Sequence, residues 1–84
     1  MDKRLLKHIW ELIIAEHKSA NIKHPEWPKD QVHAAAVVAE ESGELVRAVL
    51  NEVYEKENMD FADKEAIQTA ATCIRFLEHR MSNE

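Results

Sequence analysis

The chain has few of the residues that break helices or cross-link small proteins. Its 84 residues include one glycine, two prolines and one cysteine. A single cysteine, Cys73, excludes a disulfide within the chain and favours a reducing compartment. A chain of this length buries only about 60–65 % of its unfolded surface. Oligomerisation or a bound metal is therefore expected to supply part of its stability.

Long apolar runs and an excess of basic residues are also missing. No run approaches the ~20 apolar residues that span a bilayer, and the first residues lack the apolar segment of a signal peptide. The chain has 11 Lys and Arg against 16 Asp and Glu, a net charge of −5. Nucleic-acid binding needs clustered basic side chains, so it is disfavoured. We expect a cytoplasmic protein with no membrane or nucleic-acid partner.

What remains is a helical pattern, and it predicts an all-α fold with one domain over residues 1–84. Asp2 and Asp30 are suitable N-caps for the first two helices. Residues 21–29 form a connection, because Pro25 and Pro28 exclude a helix interior there. A second break is expected at 58–60 or at residue 63. The predicted helices of this small three-helix bundle are Asp2–Ala20, Asp30–Glu57 and Asp63–Met81.

The second predicted helix is apolar over most of its circumference. A helix of this kind must be covered on several sides, and the other two helices can cover only part of it. We therefore expect a second copy of the chain to complete the bundle as a symmetric dimer, or further as a tetramer. The apolar residues of this helix include Val32, Ala35, Ala36, Val38, Ala39, Leu45, Val46, Val49, Leu50 and Val53.

Two carboxylates three residues apart, Glu41 and Glu44, share one stripe of this helix with small apolar residues. Burying them is costly unless a cation or hydrogen-bond donors compensate. Clustered oxygen ligands suit Mg²⁺. Gly43 costs about 1 kcal/mol of helix stability relative to alanine, and it would let another group approach the backbone closely. Solvation of Glu40 and Glu44 on the polar side of the helix is the alternative.

The third predicted helix has a polar stripe opposite its apolar face. If this stripe faces Glu41 and Glu44, metal ligands lie at one end and a cation for phosphate a turn or two away. A di-iron site needs Glu-x-x-His, which is absent, and the histidines and lone cysteine lack zinc-ligand spacing. The polar stripe consists of Glu65, Gln68, Thr72, Arg75 and His79.

The run Glu40-Glu41-Ser42-Gly43-Glu44-Leu45, followed by Glu65-Ala66-Ile67-Gln68, resembles the MazG-like all-α nucleoside triphosphate pyrophosphatases. This superfamily also holds the dimeric dUTPases, and the resemblance covers roughly residues 27–77. The family pattern is Glu-x-x-Glu, a variable gap and Glu-x-x-Asp. Glu41 and Glu44 match the first pair and Glu65 the third acid. Gln68 departs from the pattern, because it replaces the aspartate and lowers the charge of the site by one.

The resemblance implies an Mg²⁺-dependent hydrolase that splits a nucleoside triphosphate, NTP or dNTP, into a monophosphate and pyrophosphate. Its role would be house-cleaning of the nucleotide pool. From position alone, Glu40 is a candidate to orient the attacking water, and Arg75 to stabilise phosphate charge. The alternative is a non-catalytic nucleotide-binding or protein-interaction module, which Gln68 favours. The ligands of Mg²⁺ or Mn²⁺ that the resemblance implies are Glu41, Glu44, Glu65 and Gln68. Glu41 is also a predicted catalytic residue.

Two aromatic residues near the start of the second helix have alternative interpretations. Trp27 lies in a stiff segment between two prolines. It is either a platform on which a nucleotide base stacks or a plug over the corner between the first two helices. His33, in the first turn of the helix, is either an exposed polar residue or a substrate contact. The sequence leaves both alternatives open.

Overall fold

The computed structural model describes residues 1–56 and 60–82. Within these residues the regular structure is entirely α-helical, which confirms the all-α prediction and the count of three helices. The described residues contain no helix that is long and apolar enough to cross a membrane. The helices are α1 (Lys3–Lys23), α2 (Gln31–Tyr54) and α3 (Asp60–Met81).

Both predicted N-caps are confirmed. The Asp2 carboxylate accepts a hydrogen bond from the amide of Arg4 at 2.7 Å. The Asp30 carboxylate accepts from the amides of Val32 at 2.8 Å and His33 at 3.3 Å. These amides belong to the first turn, where a helix offers them no carbonyl partner. The two caps therefore set where α1 and α2 begin.

Helix α1 extends past the predicted end at Ala20 to Lys23. The amide of His24 still donates to the Ala20 carbonyl at 2.8 Å. Pro25 then stops the helix, because proline lacks an amide proton and disfavours helical geometry in the residue before it. The first proline of the connection, rather than the polar residue Asn21, therefore ends α1.

The bounds of α2 and α3 also differ from the predicted ones. Helix α2 ends at Tyr54, since Lys56 takes a left-handed conformation with φ of 54°. Such a residue commonly follows a helix C-terminus. Helix α3 begins at Asp60, one turn before the predicted start, and carries Asp60 and Asp63 in its first turn. Acidic groups there interact favourably with the helix dipole. The predicted end of α2 at residue 57 and the break at 58–59 lie outside the described residues.

The packing of the helices differs from the expectation that both other helices cover part of α2. Helix α3 packs against both α1 and α2, whereas no Cα atom of α1 comes within 8 Å of one of α2. Small residues permit this close packing around α3. The most buried apolar side chains among the described residues are all alanines: Ala34, Ala62 and Ala71.

Large apolar side chains lie mainly outside this alanine core. Among the described residues, none of them is fully buried. On the second half of α2, three form a stripe that is about half exposed: Val46 (55 %), Leu50 (49 %) and Val53 (58 %). We call this the α2 stripe. A comparable face at the start of α1 includes Leu6 and Trp10, each also more than half exposed. The single chain therefore leaves much of its apolar surface uncovered.

Candidate functional site

A cleft of about 400 Å³ lies between α1 and α2, with α3 as its floor. It exists because α3 holds the other two helices apart. Each helix lines it with residues three, four or seven apart, which share one helix face. The cleft is lined by Glu16, Ala20 and Lys23 of α1, Val37 and Glu41 of α2, Gln68, Ala71, Thr72 and Arg75 of α3, and His24, Glu26, Trp27 and Pro28 of the connection.

The cleft has an acidic end and a basic end. Gln68 and Arg75 are two turns of α3 apart, or about 10 Å along its axis. The Thr69 hydroxyl lies 3.2 Å from the Glu41 carbonyl oxygen, so Glu41 is level with the Gln68 end. Arg75 reaches the connection after α1, beside Lys23. The polar stripe of α3 therefore runs from carboxylates at one end of the cleft to cations at the other.

Three carboxylates converge beside the acidic end. Oxygen atoms of Glu41, Glu44 and Glu65 all lie within 4.8 Å of one another; Glu41 and Glu65 are half-buried and Glu44 is exposed. The Thr69 hydroxyl helps to set this geometry, because it lies 2.8 Å from the Glu65 carbonyl oxygen as well as near that of Glu41. This contact holds α2 against α3 at the level of the carboxylates.

This convergence is electrostatically unfavourable in the protein alone. Burial raises the pKa of Glu41, and the negative charges of Glu44, Glu65, Glu40 and Glu16 raise it further. Among the described residues, the buried Oε2 atoms of Glu41 and Glu65 have no hydrogen-bond partner. Buried carboxylate oxygens are normally satisfied by a donor or a cation. Within residues 1–56 and 60–82, the cluster therefore has no positive partner.

Arg75 occupies the basic end and is only 7 % exposed. It donates to the His24 carbonyl at 2.6 Å and is 3.4 Å from the Glu26 carbonyl oxygen. Its guanidinium carbon lies 5.0 Å from the centroid of the Trp27 ring. The buried Nε atom has no hydrogen-bond partner in the part of the chain that the structure describes. Arg75 thus lines the cleft, as its position in the polar stripe predicts. Its hydrogen bonds to the His24 and Glu26 carbonyls also hold the connection in place.

Trp27 also lines the cleft, and its ring stacks on that of His79 with centroids 5.5 Å apart and planes 10° from parallel. Together with Arg75, His79 fixes the half-buried indole against α3. These contacts are with α3, so the interpretation of Trp27 as a plug over the corner between α1 and α2 stays a prediction. Base stacking on the part of the ring that faces the cleft stays a prediction.

Two predicted site residues lie apart from the cleft. His33 and Glu40 are both exposed, and neither lines it. The charge of Glu40 is one of those that raise the pKa of Glu41. Sequence reasoning overlooked Glu16, although Glu16, Ala20 and Lys23 have the spacing of a single helix face. The choice of which α1 face lines the cleft depends on packing against α3.

Comparisons of the chain with protein-family models, with curated proteins and with solved structures find no match. The function of the cleft must therefore be argued from its own residues.

Proposed function

We propose that the chain is an Mg²⁺-dependent nucleoside triphosphate pyrophosphohydrolase of the MazG-like kind. Its substrate would be an NTP or dNTP, and its products a monophosphate and pyrophosphate. The observation that supports this proposal is the convergence of the Glu41, Glu44 and Glu65 carboxylates within 4.8 Å beside a cleft. In the sequence these are the three acids that match the family pattern.

The chemistry of the donor set suits Mg²⁺ or Mn²⁺. All the donors are oxygens, which Mg²⁺ prefers, and two of them are buried without a partner. Glu41, Glu44 and Glu65 would hold the ion, with Gln68 offering a neutral carbonyl oxygen at the edge of the cluster. When bound, the ion would neutralise phosphate charge and lower the pKa of a coordinated water.

The remaining roles fall on residues along the cleft. In the hydrolysis, the water oxygen bonds to the α phosphorus and the water loses a proton. The bond from the α phosphorus to the bridging oxygen breaks, and pyrophosphate leaves. Glu41 is the carboxylate lining the cleft that would orient this water and accept the proton. Glu40, the other candidate for this role, is exposed and does not line the cleft. At the other end, Lys23 and Arg75 line the cleft and would face the phosphates. Trp27 would contact the nucleoside.

A second copy of the chain would cover the apolar faces of α1 and α2, as a dimer or a tetramer. Half-exposed side chains such as Leu50 and Trp10 support this assembly, because contiguous exposed apolar surface commonly marks a protein interface. The proposed role is house-cleaning of the cytoplasmic nucleotide pool.

The second candidate is a non-catalytic nucleotide-binding or interaction module on the same scaffold. Gln68 supports it, since a neutral side chain stands at the acidic end of the cleft where the family pattern has aspartate. Gln68→Asp separates the two functions. A large gain in metal affinity and turnover would show that the natural chain is impaired at this position.

The decisive experiment measures pyrophosphate release from a panel of NTPs and dNTPs, with Mg²⁺ or Mn²⁺. Glu41→Gln tests the cluster, and Glu11→Gln is the matched control on an exposed carboxylate of α1. We expect metal-dependent release that Glu41→Gln abolishes and Glu11→Gln retains. No release across the panel from folded protein would favour the binding module.

A further inference from the structure

One face of α2 is uncharged along the whole helix and lies uncovered in the single chain. It runs from Val32, which is 79 % exposed, to Val53 and includes the α2 stripe. By helical periodicity it lies opposite the side that carries buried Ala34 and half-buried Glu41. We call it the outer face of α2, and its residues are Val32, Ala35, Ala39, Ser42, Gly43, Val46, Leu50 and Val53.

The spacing within the outer face is that of a seam between two helices. Val32, Ala39, Val46 and Val53 follow one another at intervals of seven residues. A sustained seven-residue apolar repeat is typical of a helix that packs lengthwise against another helix. Within the described residues no helix can fill this role, because α3 packs against the other side of α2 and α1 does not contact α2. The seam therefore fits a helix of a second molecule.

The charges that border the seam indicate which helix this is. Glu40 and Arg47 are also seven residues apart and lie on the same edge of the outer face. Both are exposed, and neither forms an ion pair with another described residue. A two-fold axis near Gly43 that runs the helices antiparallel places each Glu40 beside the partner's Arg47, so the pair forms twice. In a parallel pair this edge would instead meet the edge with Val38 and Leu45, and neither charge would be matched.

The middle of the outer face also suits this arrangement. Ser42 and Gly43 lie midway between Val32 and Val53 in the sequence. A Cβ atom built on Gly43 meets no atom within 4 Å, so the backbone there is open to a neighbour. With the axis at this point, Val32 of each copy would pack against the partner's Val53. Small residues would then meet at the crossing and larger ones toward both ends.

We propose that two copies of the chain pack their α2 helices antiparallel through the outer face, with the two-fold axis at Ser42 and Gly43. The inference deepens the proposed function, since it rests on the assembly proposed there and not on the hydrolysis. It covers the half-exposed apolar side chains that the single chain leaves in water. Val37 and Glu41, which line the cleft, lie on the opposite side of α2. Each cleft is then built by one copy alone.

Single cysteines in a Cys73→Ala background test the register by disulfide formation under mild oxidation. A disulfide needs Cα atoms within about 7 Å, so Ser42→Cys, at the axis, should link to its own copy. Val32→Cys and Val53→Cys should each fail to link alone, because antiparallel packing holds each about 30 Å from its own copy. A mixture of these two variants should give a linked heterodimer. Ile22→Cys, on the exposed end of α1, is the matched control and should stay unlinked.

Charge reversal tests the pairing without a cross-link. Arg47→Glu should raise the Kd of the dimer about tenfold in sedimentation at low salt, because the symmetry changes two pairs at once. The double variant Glu40→Arg with Arg47→Glu should restore the wild-type Kd. Lys18→Glu makes the same change of net charge at an exposed position of α1 and should leave the Kd unchanged. Circular dichroism verifies that each variant is folded.

Each contrary outcome has a distinct meaning. Linking of Val32→Cys or Val53→Cys to its own copy would indicate parallel packing and overturn the inference. A dimer that Ser42→Cys does not link, or that Arg47→Glu and Lys18→Glu weaken equally, would overturn it and leave the proposed assembly standing. A wild type that stays monomeric would overturn both. Pyrophosphate release is measured separately, so failure of the proposed hydrolysis is distinguishable from all of these.

Discussion

The guanidinium carbon of Arg75 lies 5.0 Å from the centre of the Trp27 ring. The same guanidinium donates to the His24 carbonyl at 2.6 Å. One buried side chain of α3 therefore fixes both the backbone and the aromatic ring of the connection that borders the cleft. Arg75, which the sequence predicts to bind phosphate, therefore also fixes the position of the connection beside the cleft.

Replacing Arg75 by methionine should lower the free energy of unfolding by about 2–3 kcal/mol, because a charge-assisted hydrogen bond to the connection is lost. Urea unfolding followed by the fluorescence of Trp27, with Trp10 replaced by phenylalanine, measures the change. The control is Arg80→Met. Arg80 is exposed and contacts the Gln31 side chain at 3.1 Å. A similar loss in both variants would contradict the role given to Arg75.

The pKa of Glu41 predicts how stability depends on pH in the absence of divalent ions. Burial and the neighbouring acids raise this pKa in the folded chain. The stabilisation that Glu41 gives to the folded chain is therefore fully present below its unfolded pKa of about 4.3. This stabilisation is lost as the pH rises through the raised pKa of the folded chain. Glu41→Gln removes this loss. It should be more stable than wild type at pH 7, by no more than about 1 kcal/mol because solvent screens the partly exposed group.

Thermal unfolding in a chelator, from pH 3.5 to 8, measures this difference for Glu41→Gln against Glu11→Gln. The advantage of Glu41→Gln should disappear at the acidic limit. Added Mg²⁺ should reverse the order at neutral pH by stabilising the wild type alone. A constant difference at every pH would contradict the electrostatic explanation.

Gly43 is a second position where the natural residue lowers the free energy of unfolding. A Cβ atom built on this glycine meets no atom within 4 Å, since the position faces open space in the single chain. Gly43→Ala should therefore raise the free energy of unfolding by about 1 kcal/mol. Chemical denaturation at low protein concentration measures it, with the exposed neighbour Ser42→Ala as the control. A loss of stability would mean that another molecule packs against this part of α2.

The α2 stripe allows a direct test of the proposed assembly. Leu50→Glu places a charge between Val46 and Val53, where burial against a second copy would be costly. We expect sedimentation to show a dimer or tetramer for the wild type and a monomer for this variant at micromolar concentration. Ile22→Glu is the control, because Ile22 is 81 % exposed at the other end of the molecule. A monomeric wild type would contradict the assembly.

Local features of the fold could be predicted because neighbouring residues determine them. Asp2 and Asp30 cap helices through amides two or three residues away. The polar stripe of α3 follows from helical periodicity, and the structure turns Gln68 and Arg75 into the cleft as that stripe suggests. These predictions depend only on residues that lie within one or two helical turns of one another in the sequence.

The packing order could not be predicted in the same way. The apolar circumference of α2 led us to expect cover from both other helices, yet α1 packs against α3 alone, and the small residues Ala62 and Ala71 of α3 allow close approach. The position of Glu16 in the lining of the cleft was overlooked for the same reason. Nothing in the spacing of α1 says which of its faces lies across from Glu41. Both features depend on how separate helices meet rather than on periodicity.

Because α1 contacts α3 but not α2, two copies of the chain could exchange their α1 helices. Every helix–helix contact that α1 makes within one chain could be made equally by the α1 of another copy, with the α2–α3 hairpin unchanged. The connection 24–30 is then a hinge for domain swapping. Its two prolines and the Arg75 anchor resist straightening, so they favour the closed monomeric arrangement over the exchanged one.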